Sequence, residues 1–390
     1  MYFEQGKTKR EIVDFMGVST NFVVKWTQSE DQDFTEDNRG WEKGKPRKWN
    51  QGVVRRIKRI REELEDDPSE DYWGPTAIEV EYRKRHPEKE VPPLRTIGKI
   101  LKDLGLTKNQ KSDKKRGALR YLRYPETTIH EKLGGRVLEA DFVGDKYITG
   151  RSKPLHFIGY SFKHEPRLRH YERIEAQTKD EFKTYTQKFF DRFEVPDLIK
   201  VDNDSATIGG RFHKRTVSDV MAYLLEKEVH PVFSVPRKPA TQASIEGSNS
   251  LFSRKFWNRH QFESIEEIDE RLVVFNQNTR EYLRYSPPEE KDTSTTEFTP
   301  KVYFLRQVRE EEEGNAGFVD IVNEKVKLDP EYIKYFVLGE WDLTEEKLSV
   351  RFEQRDDDDD EDDQVESKTI KQLDFPIHEG SKERCEKFLN

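Results

Sequence analysis

The chain has 390 residues, of which 33% are hydrophobic and 37% are charged, and its net charge is -8 at pH 7. Its length accommodates several domains, and its 24 Phe, 15 Tyr and 6 Trp residues are material for hydrophobic cores. The only cysteine, Cys385, excludes an intrachain disulfide and a thiolate zinc site. No apolar run reaches the roughly 18 residues of a membrane span, and the first residues lack the apolar segment of a signal peptide. We therefore expect no membrane partner.

The charge is unevenly distributed along the chain. Residues 1–130 carry +5, residues 131–290 carry no net charge, and residues 291–390 carry -13. A basic N-terminal third is typical of proteins that bind nucleic acid, although the charge of the whole chain suggests the opposite.

Two stretches near the N-terminus predict helix-turn-helix units, at residues 1–40 and 73–110. In the first, Gly17 interrupts an apolar stripe and Ser19 follows as a helix cap. In the second, Pro93 suits a first helical position and Gly105 ends the helix. This spacing predicts that three basic side chains of the second unit face outward and contact DNA: Arg95, Lys99 and Lys102.

Basic segments follow each unit. Residues 41–72 join a basic linker to a basic helix, and residues 111–130 form a second basic linker. Linkers of this kind track phosphates by charge alone, without reading bases. The second linker contributes the predicted DNA contacts Lys114, Lys115 and Arg116.

From residue 131 to residue 285 the pattern becomes that of an α/β domain. Three strands are predicted first, in "RVLEADFVGDKY", "PLHFIGYSF" and "RLRHYERIEA", and helices then alternate with the strands "DLIKVD" and "HPVFSVP". Thr178 begins the first of these helices as a cap. This order predicts an α/β layer fold with a mixed five-stranded sheet.

Three acids occupy positions in this domain where chemistry is feasible. Asp141 lies within the first strand, Asp202 at the end of the fourth, and Glu246 near the start of the helix after the fifth. If the first and fourth strands are neighbours, the two aspartates lie side by side and the helix brings Glu246 over them. Converging carboxylates repel unless a cation binds, and hard oxygen ligands suit Mg²⁺ or Mn²⁺, as a pair of ions in phosphodiester transfer.

The element order and the motifs "LEADFVGD", "VDNDSATIGG" and "VPRKPATQASIEGSNS" resemble the catalytic core of DDE transposases and retroviral-type integrases, within the ribonuclease H-like fold. The resemblance implies that Asp141, Asp202 and Glu246 are catalytic residues and metal ligands. It also implies that Asn249, Arg254 and Lys255 lie near the DNA end. The sequence differs from the family pattern at Asp204, where a glycine is frequent, and at Gln242-Ala243, where Asn-Gly is frequent.

The remainder of the chain is predicted to form three segments. Residues 286–300 are a linker, residues 301–353 contain short β runs typical of a small β-barrel, and residues 354–390 form an acidic tail. The run "RDDDDDEDDQVE" buries too little to fold, so this tail is predicted to be disordered.

The resemblance implies a cytoplasmic, nucleoid-associated DNA transposase or integrase that binds terminal inverted repeats and joins them to target DNA. Two ends must be held together, so a homodimer or higher oligomer is expected. A DNA-binding regulator derived from a transposase, without catalysis, is the alternative, and the altered Gln242-Ala243 favours it mildly. A third possibility is a ribonuclease H-like nuclease that only hydrolyses, which strand-transfer products distinguish.

Overall fold

The computed structural model describes residues 5–27, 49–107, 136–162, 164, 166–209, 213–238, 242–287, 298–311, 316–354 and 366–389. The chain divides into two compact units, residues 1–55 and residues 56–390, and each is described by itself. Within the described ranges, no helix combines the length and the apolar character that crossing a membrane requires.

The first unit contains two short helices, α1 (Lys9–Met16) and α2 (Thr20–Trp26). Gly17 follows α1 with a φ of 63°, the left-handed conformation that glycine adopts without strain. The Ser19 hydroxyl then accepts a hydrogen bond of 3.2 Å from the Phe22 N–H in the first turn of α2. The predicted break and the predicted cap are therefore both confirmed.

Three further helices precede the sheet: α3 (Gln51–Asp66), α4 (Pro75–Arg85) and α5 (Leu94–Asp103). Gly105 has a φ of 69° just beyond α5, as expected of a residue that ends a helix. Pro93 is the N-cap of α5 and not its first helical residue, because its ψ of 148° is extended. The prediction was wrong there by one position.

The rest of the second unit alternates strands and helices. The strands are β1 (Val137–Lys146), β2 (Leu155–Phe162), β3 (Arg169–Ile174), β4 (Leu198–Val201), β5 (His230–Phe233), β6 (Lys301–Gln307), β7 (Arg309–Glu310), β8 (Gly317–Ile321), β9 (Glu324–Leu328), β10 (Phe336–Asp342), β11 (Lys347–Gln354) and β12 (Glu366–Asp374). The helices are α6 (Lys179–Arg192), α7 (Asp219–Glu226), α8 (Ala243–Phe252) with a π-helical turn at Ser253–Trp257, α9 (Ile265–Leu283) and α10 (Glu379–Leu389), and a 3-10 turn lies at Pro330–Tyr332.

Nine strands form one mixed sheet in the order β12-β11-β10-β6-β5-β4-β1-β2-β3. The first three strands pair antiparallel, whereas β1, β4, β5 and β6 pair parallel in succession. The Thr178 hydroxyl accepts from the Glu181 N–H at the start of α6, as predicted for a cap. The prediction of an α/β protein with a mixed sheet is confirmed, and the sheet is larger than the five strands expected.

The C-terminal strands differ from the prediction of a small β-barrel over residues 301–353, which is not confirmed. Strand β6 pairs parallel with β5 through Val232↔Tyr303 and Phe233↔Phe304, so β6, β10, β11 and β12 extend the central sheet. Strands β7, β8 and β9 form a separate three-stranded sheet. Short β runs specify strands but not partners, because pairing depends on residues distant in sequence.

The prediction of a disordered tail is wrong for residues 366–389, which form β12 and α10. The Trp341 indole N–H donates a hydrogen bond of 2.9 Å to the Phe375 carbonyl, and Phe375 and Cys385 are both fully buried. A few apolar side chains therefore fix a segment whose average composition is highly polar. The acidic run at residues 355–365 lies outside the described residues.

The two faces of the central sheet are covered by different helices. Leu138 and Ile158 belong to a core shared with α6 and α7, whereas Val143, Phe157 and Tyr171 pack with Phe252, Phe256 and Phe275 of α8, its π-helical turn and α9. Because side chains alternate along a strand, Glu139, Asp141 and Gly159 share the second face with Val143 and Phe157.

The chain between α3 and α4 is anchored to α9 within the second unit. The Tyr72 hydroxyl lies 2.9 Å from the Thr279 hydroxyl, and its ring stacks on Tyr282 at 4.3 Å between centroids. Fully buried Asp71 accepts hydrogen bonds of 3.1 Å from Arg271 and from Asn278. Residues 67–85 are therefore held to the body that carries the sheet by buried polar contacts.

We predict that Asp71→Ala destabilises the second unit by about 3 kcal/mol, because it removes the fully buried carboxylate that accepts from Arg271 and Asn278 and leaves the largely buried Arg271 cation without its counter-charge. The measurement is urea-induced unfolding followed by tryptophan fluorescence. Glu62→Ala, which removes the half-exposed Lys58–Glu62 pair on α3, is the control and should change stability by less than about 0.5 kcal/mol. Equal effects of the two substitutions would contradict the anchoring role of Asp71.

Candidate active site

The strand register brings the two predicted aspartates together. Strands β1 and β4 are adjacent and parallel, with Glu139 paired to Lys200. Asp141 lies two residues beyond Glu139 within β1, and Asp202 lies two residues beyond Lys200, directly after β4. The expectation that the two strands are neighbours agrees with the structure.

The carboxylates of Asp141, Asp202, Asp204 and Glu246 interact electrostatically. The pKa of Asp141 is raised to about 7, first by burial and then by the negative charges of Asp202, Asp204 and Glu246. The pKa of Glu246 is raised by burial, Glu139 and Asp202. Burial and like charges both disfavour the ionised form. Asp202 is therefore close enough to disfavour the ionisation of Asp141 and of Glu246, and Asp204 adds a further charge near Asp141.

Asn249, one helical turn beyond Glu246, contacts the first acid directly. Its side-chain amide donates a hydrogen bond of 3.0 Å to Asp141 Oδ2. Its amide oxygen is buried and has no hydrogen-bond partner in the structure. A buried acceptor without a donor is costly, so this oxygen is available to a cation or a donor that enters the site.

Helix α8 approaches the sheet closely at Gly159, which pairs with Asp141 across β1 and β2. A Cβ atom there would lie 2.8 Å from the Tyr171 ring and 3.0 Å from the Asn249 amide oxygen. The Tyr171 hydroxyl in turn lies 2.5 Å from the Ser248 hydroxyl of α8. Only glycine leaves room for this contact, and sequence reasoning missed it because an isolated glycine in a strand has many explanations.

The loop after β4 is held by hydrogen bonds to neighbouring strands. Asp202 Oδ1 accepts from the Asn203 N–H at 2.7 Å and from the Ser234 hydroxyl at 3.1 Å. The Thr207 hydroxyl donates to the Asp202 carbonyl at 2.7 Å. These contacts fix the direction of the Asp202 carboxylate although that residue is exposed.

Arg306 of β6 holds the same loop by hydrogen bonds. Its guanidinium donates to the Asn203 amide oxygen at 2.9 Å, to the Ser234 carbonyl at 3.0 Å and to the Asp320 carbonyl at 2.8 Å. Burial and the charge of Arg309 lower its pKa to about 9, while Asp202 acts in the opposite direction. Nothing in the sequence marked Arg306, because it lies in a segment predicted to be a separate domain.

The donor set fits a hard divalent cation in kind. Carboxylates of Asp141, Asp202 and Glu246 and the unpartnered oxygen of Asn249 are the ligands that Mg²⁺ and Mn²⁺ prefer. Within the described ranges, however, no three or more His, Cys, Asp or Glu side chains are arranged so as to hold a metal ion. The acids are neighbours without forming a closed coordination shell.

The predicted DNA contacts fall into three groups. Arg95, Lys99 and Lys102 are exposed along α5. Lys114, Lys115 and Arg116 lie outside the described residues. Arg254 Nε donates a hydrogen bond of 3.3 Å to the Ser250 carbonyl.

Lys255 is engaged with another part of the second unit. Its ammonium lies 3.4 Å from the centroid of the Trp73 ring, and the Arg259 guanidinium lies 4.4 Å from the same centroid. Burial, followed by the charge of Arg259, lowers the Lys255 pKa to about 8. The π-helical turn that continues α8 therefore contacts the segment that begins α4.

A cavity of about 620 Å³ opens beside the Asp202 loop. Its wall combines apolar side chains, including Ile208 and Val322, with basic ones. The basic residues that line it are Arg237, Lys238, Arg306 and Arg309. Sequence analysis did not locate this cavity, because its walls come from the ends of β4 and β5 and from the C-terminal strands.

No family model matches the sequence, and no curated protein matches it. Among solved structures, the chain is similar to a chain of the simian T-cell lymphotropic virus intasome, determined by cryoEM in complex with PP2A regulatory subunit B56 gamma. The identity is 13%, and the match covers 50% of this chain and 79% of that chain with a TM-score of 0.28. A TM-score this low does not establish a common fold.

We predict that Asp141→Asn stabilises the protein at pH 8 in the presence of a chelator. The folded-state pKa of Asp141 is about 7 against an ordinary value of 3.8, so its ionisation disfavours folding increasingly as the pH rises between these values. The gain has an upper bound of about 4 kcal/mol above pH 7, since one pKa unit corresponds to about 1.4 kcal/mol. Thermal unfolding from pH 4 to pH 8 measures it, and a gain that stays constant across this range contradicts the prediction.

We also predict that Gly159→Ala destabilises the protein by about 2 kcal/mol, because its methyl group forces α8 away from the sheet. Gly247→Ala is the matched control. Gly247 lies in α8 with open space around the position of an added Cβ, and alanine favours the helix by roughly 0.5 to 1 kcal/mol. Denaturant unfolding measures the change in the free energy of unfolding for each variant. Changes of the same sign in both variants would contradict the close approach of α8 to the sheet at Gly159.

Proposed function

We propose that the protein is a DNA transposase or integrase of the DDE type, with a ribonuclease H-like core that cuts element ends and joins them to target DNA. One observation carries the proposal: Asp141 lies in β1 and Asp202 directly follows β4, its parallel neighbour, and burial together with the charges of Asp202, Asp204 and Glu246 raises the pKa of Asp141. Carboxylates held together against their own repulsion are typical of functional sites.

Asp141, Asp202 and Glu246 would hold two ions of Mg²⁺ or Mn²⁺. When bound, these ions would activate the attacking hydroxyl and stabilise the leaving oxygen. The residues of the chain position these acids. Asn249 orients Asp141, Ser234 and the Asn203 N–H orient Asp202, and Arg306 supports the loop that carries Asp202. Water and then a DNA 3′-hydroxyl would act in turn as nucleophiles.

The basic helical part of the chain would bind the ends of the element. Arg95, Lys99 and Lys102 are exposed on α5 and would contact phosphates or bases of double-stranded DNA. Lys114, Lys115 and Arg116 would add phosphate contacts, and Arg254 and Lys255 would lie nearer the reacting end. Because two ends and a target must be held together, the active form would be a homodimer or a higher oligomer on DNA.

A transposase-derived DNA-binding regulator without catalysis is the second candidate. The observation that favours it is the open arrangement of the acids, since no described group of three or more acidic, His or Cys side chains is arranged to hold a metal. The raised pKa of Asp141 favours the enzyme, because a regulator has no use for opposed carboxylates at a sheet edge.

The test compares wild type with Asp202→Asn, which keeps the size of the side chain and removes one negative ligand. We predict that strand transfer on oligonucleotides carrying the inverted repeats that flank the gene falls at least about a hundred-fold in the variant, because an anionic ligand is lost. DNA binding in a gel-shift assay should persist. Millimolar Mg²⁺ or Mn²⁺ should raise the thermal midpoint of wild type but not that of the variant.

Asp180→Asn is the control, since this acid is exposed on α6 away from the site, and it should behave as wild type in all three measurements. Equal joining by wild type and Asp202→Asn would place the active site elsewhere. Tight binding of verified ends by wild type, without joining and without stabilisation by either cation, would favour the regulator.

A further inference from the structure

Helix α8, which carries Glu246, begins without a local side-chain cap. Gln242 is its N-cap residue and makes no capping hydrogen bond through its side chain. The N–H groups of a first helical turn have no partner within the helix and need one elsewhere. The Ile245 N–H finds it in Glu139 of β1, whose Oε2 accepts at 2.8 Å. A carboxylate from a distant strand therefore occupies the role that Ser or Asp usually has at the cap.

Glu139 is buried, with 1% of its surface exposed, and a buried carboxylate needs a counter-charge. Lys200, its register partner on β4, supplies one: its ammonium lies 3.8 Å from Glu139 Oε1, and its own side chain is 5% exposed. The two oxygens thus face different groups, Oε1 the lysine and Oε2 the helix. Lys200 also belongs to the sheet, so the carboxylate is held against two adjacent strands.

The Glu139–Lys200 pair lies two residues N-terminal to the two aspartates of the candidate active site. Glu139 precedes Asp141 by two residues on β1, and Lys200 precedes Asp202 by two residues on β4. Ile245 immediately precedes Glu246 on α8. The hydrogen bond from Ile245 to Glu139 therefore ties the helix to the strand of Asp141, at the residue next to the third acid.

We propose that Glu139, held in place by Lys200, is a positioning residue that anchors the first turn of α8 and thereby sets the place of Glu246 relative to Asp141 and Asp202. The anchoring follows from the hydrogen bond and the ion pair. Only its consequence for strand transfer rests on the proposed function. Glu139 acts through the helix and does not touch substrate.

The decisive variants are Glu139→Gln with Lys200→Met, and Glu139→Met with Lys200→Met. Both remove the two buried charges, and the side chains at position 139 have similar length. They differ in the polar amide at position 139: glutamine keeps an oxygen that accepts from the Ile245 N–H and carries an NH₂ group, and methionine lacks both. A role of the ion pair in stability alone affects the two double variants alike.

Amide hydrogen exchange, measured by mass spectrometry without metal or DNA, tests the anchoring. Peptides that cover residues 243–250 should exchange in the Glu139→Gln double variant within about three-fold of wild type, and at least about ten-fold faster in the Glu139→Met double variant, which is the factor expected for one lost hydrogen bond. Equal exchange rates in the two double variants overturn the proposal.

Glu139→Asp provides a test that needs no second substitution and keeps the charge opposite Lys200. Its carboxylate is one methylene shorter, so it withdraws from the Ile245 N–H, and the same peptides should exchange faster than in wild type. Exchange at the wild-type rate in this variant also overturns the proposal, whether or not a double variant folds.

Strand transfer tests the consequence. The Glu139→Gln double variant should keep kcat within about three-fold of wild type, whereas the Glu139→Met double variant should lose at least about ten-fold in kcat with an unchanged KM for DNA ends. Equal kcat values in the two double variants overturn the positioning role. If wild type joins no ends, the proposed function fails, and hydrogen exchange still decides the anchoring.

Discussion

The second unit must hold the carboxylate of Asp141 in a partly buried place beside Asp202, although burial and that neighbouring charge both disfavour its ionised form. Asp141 lies in β1 and Asp202 directly follows β4, its parallel neighbour, and burial followed by the charge of Asp202 disfavours the ionisation of Asp141. A fold keeps such a pair only if the backbone around it is fixed by other interactions. Continuous pairing of β2, β1, β4 and β5 supplies the first of these, since neither strand moves without breaking a ladder on both of its sides.

Buried polar groups supply the others, and each comes from a different segment. The Glu139–Lys200 pair precedes Asp141 and Asp202 along the chain, and Glu139 holds the first turn of α8. Arg306 joins the Asp202 loop to Ser234, directly after β5, and to Asp320 of β8. Arg306 also ties the C-terminal strands to this loop: besides the adjacent Leu305 carbonyl, its acceptors are Asn203, Ser234 and Asp320, which must stay in contact for the charge to remain satisfied. A separately folded C-terminal domain could not maintain these contacts.

The alternation of strands and helices and the neighbouring positions of β1 and β4 were accessible from the sequence. Strand ends followed by Asp, and capped helices with one apolar face, are local signals that survive folding unchanged. Gly159, Lys200 and Arg306 were not accessible, because their roles arise from pairing across the sheet with residues far along the chain. The order at residues 366–389 was missed for a related reason, since average composition hides the few buried side chains, such as Phe375 and Cys385, that decide it.

The basic residues of α5 and of the π-helical turn after α8 differ in their exposure and their contacts. Arg95 and Lys99 are exposed, so a phosphate reaches them without displacing a protein contact. Lys255 already faces Trp73 and shares its surroundings with Arg259, and its lowered pKa reflects burial beside like charge. A phosphate near Lys255 would relieve that repulsion, whereas moving Lys255 away from Trp73 would loosen a contact between the π-helical turn after α8 and the start of α4. The position of Lys255 is therefore linked to the contact between this turn and the start of α4, next to the helix that carries Glu246.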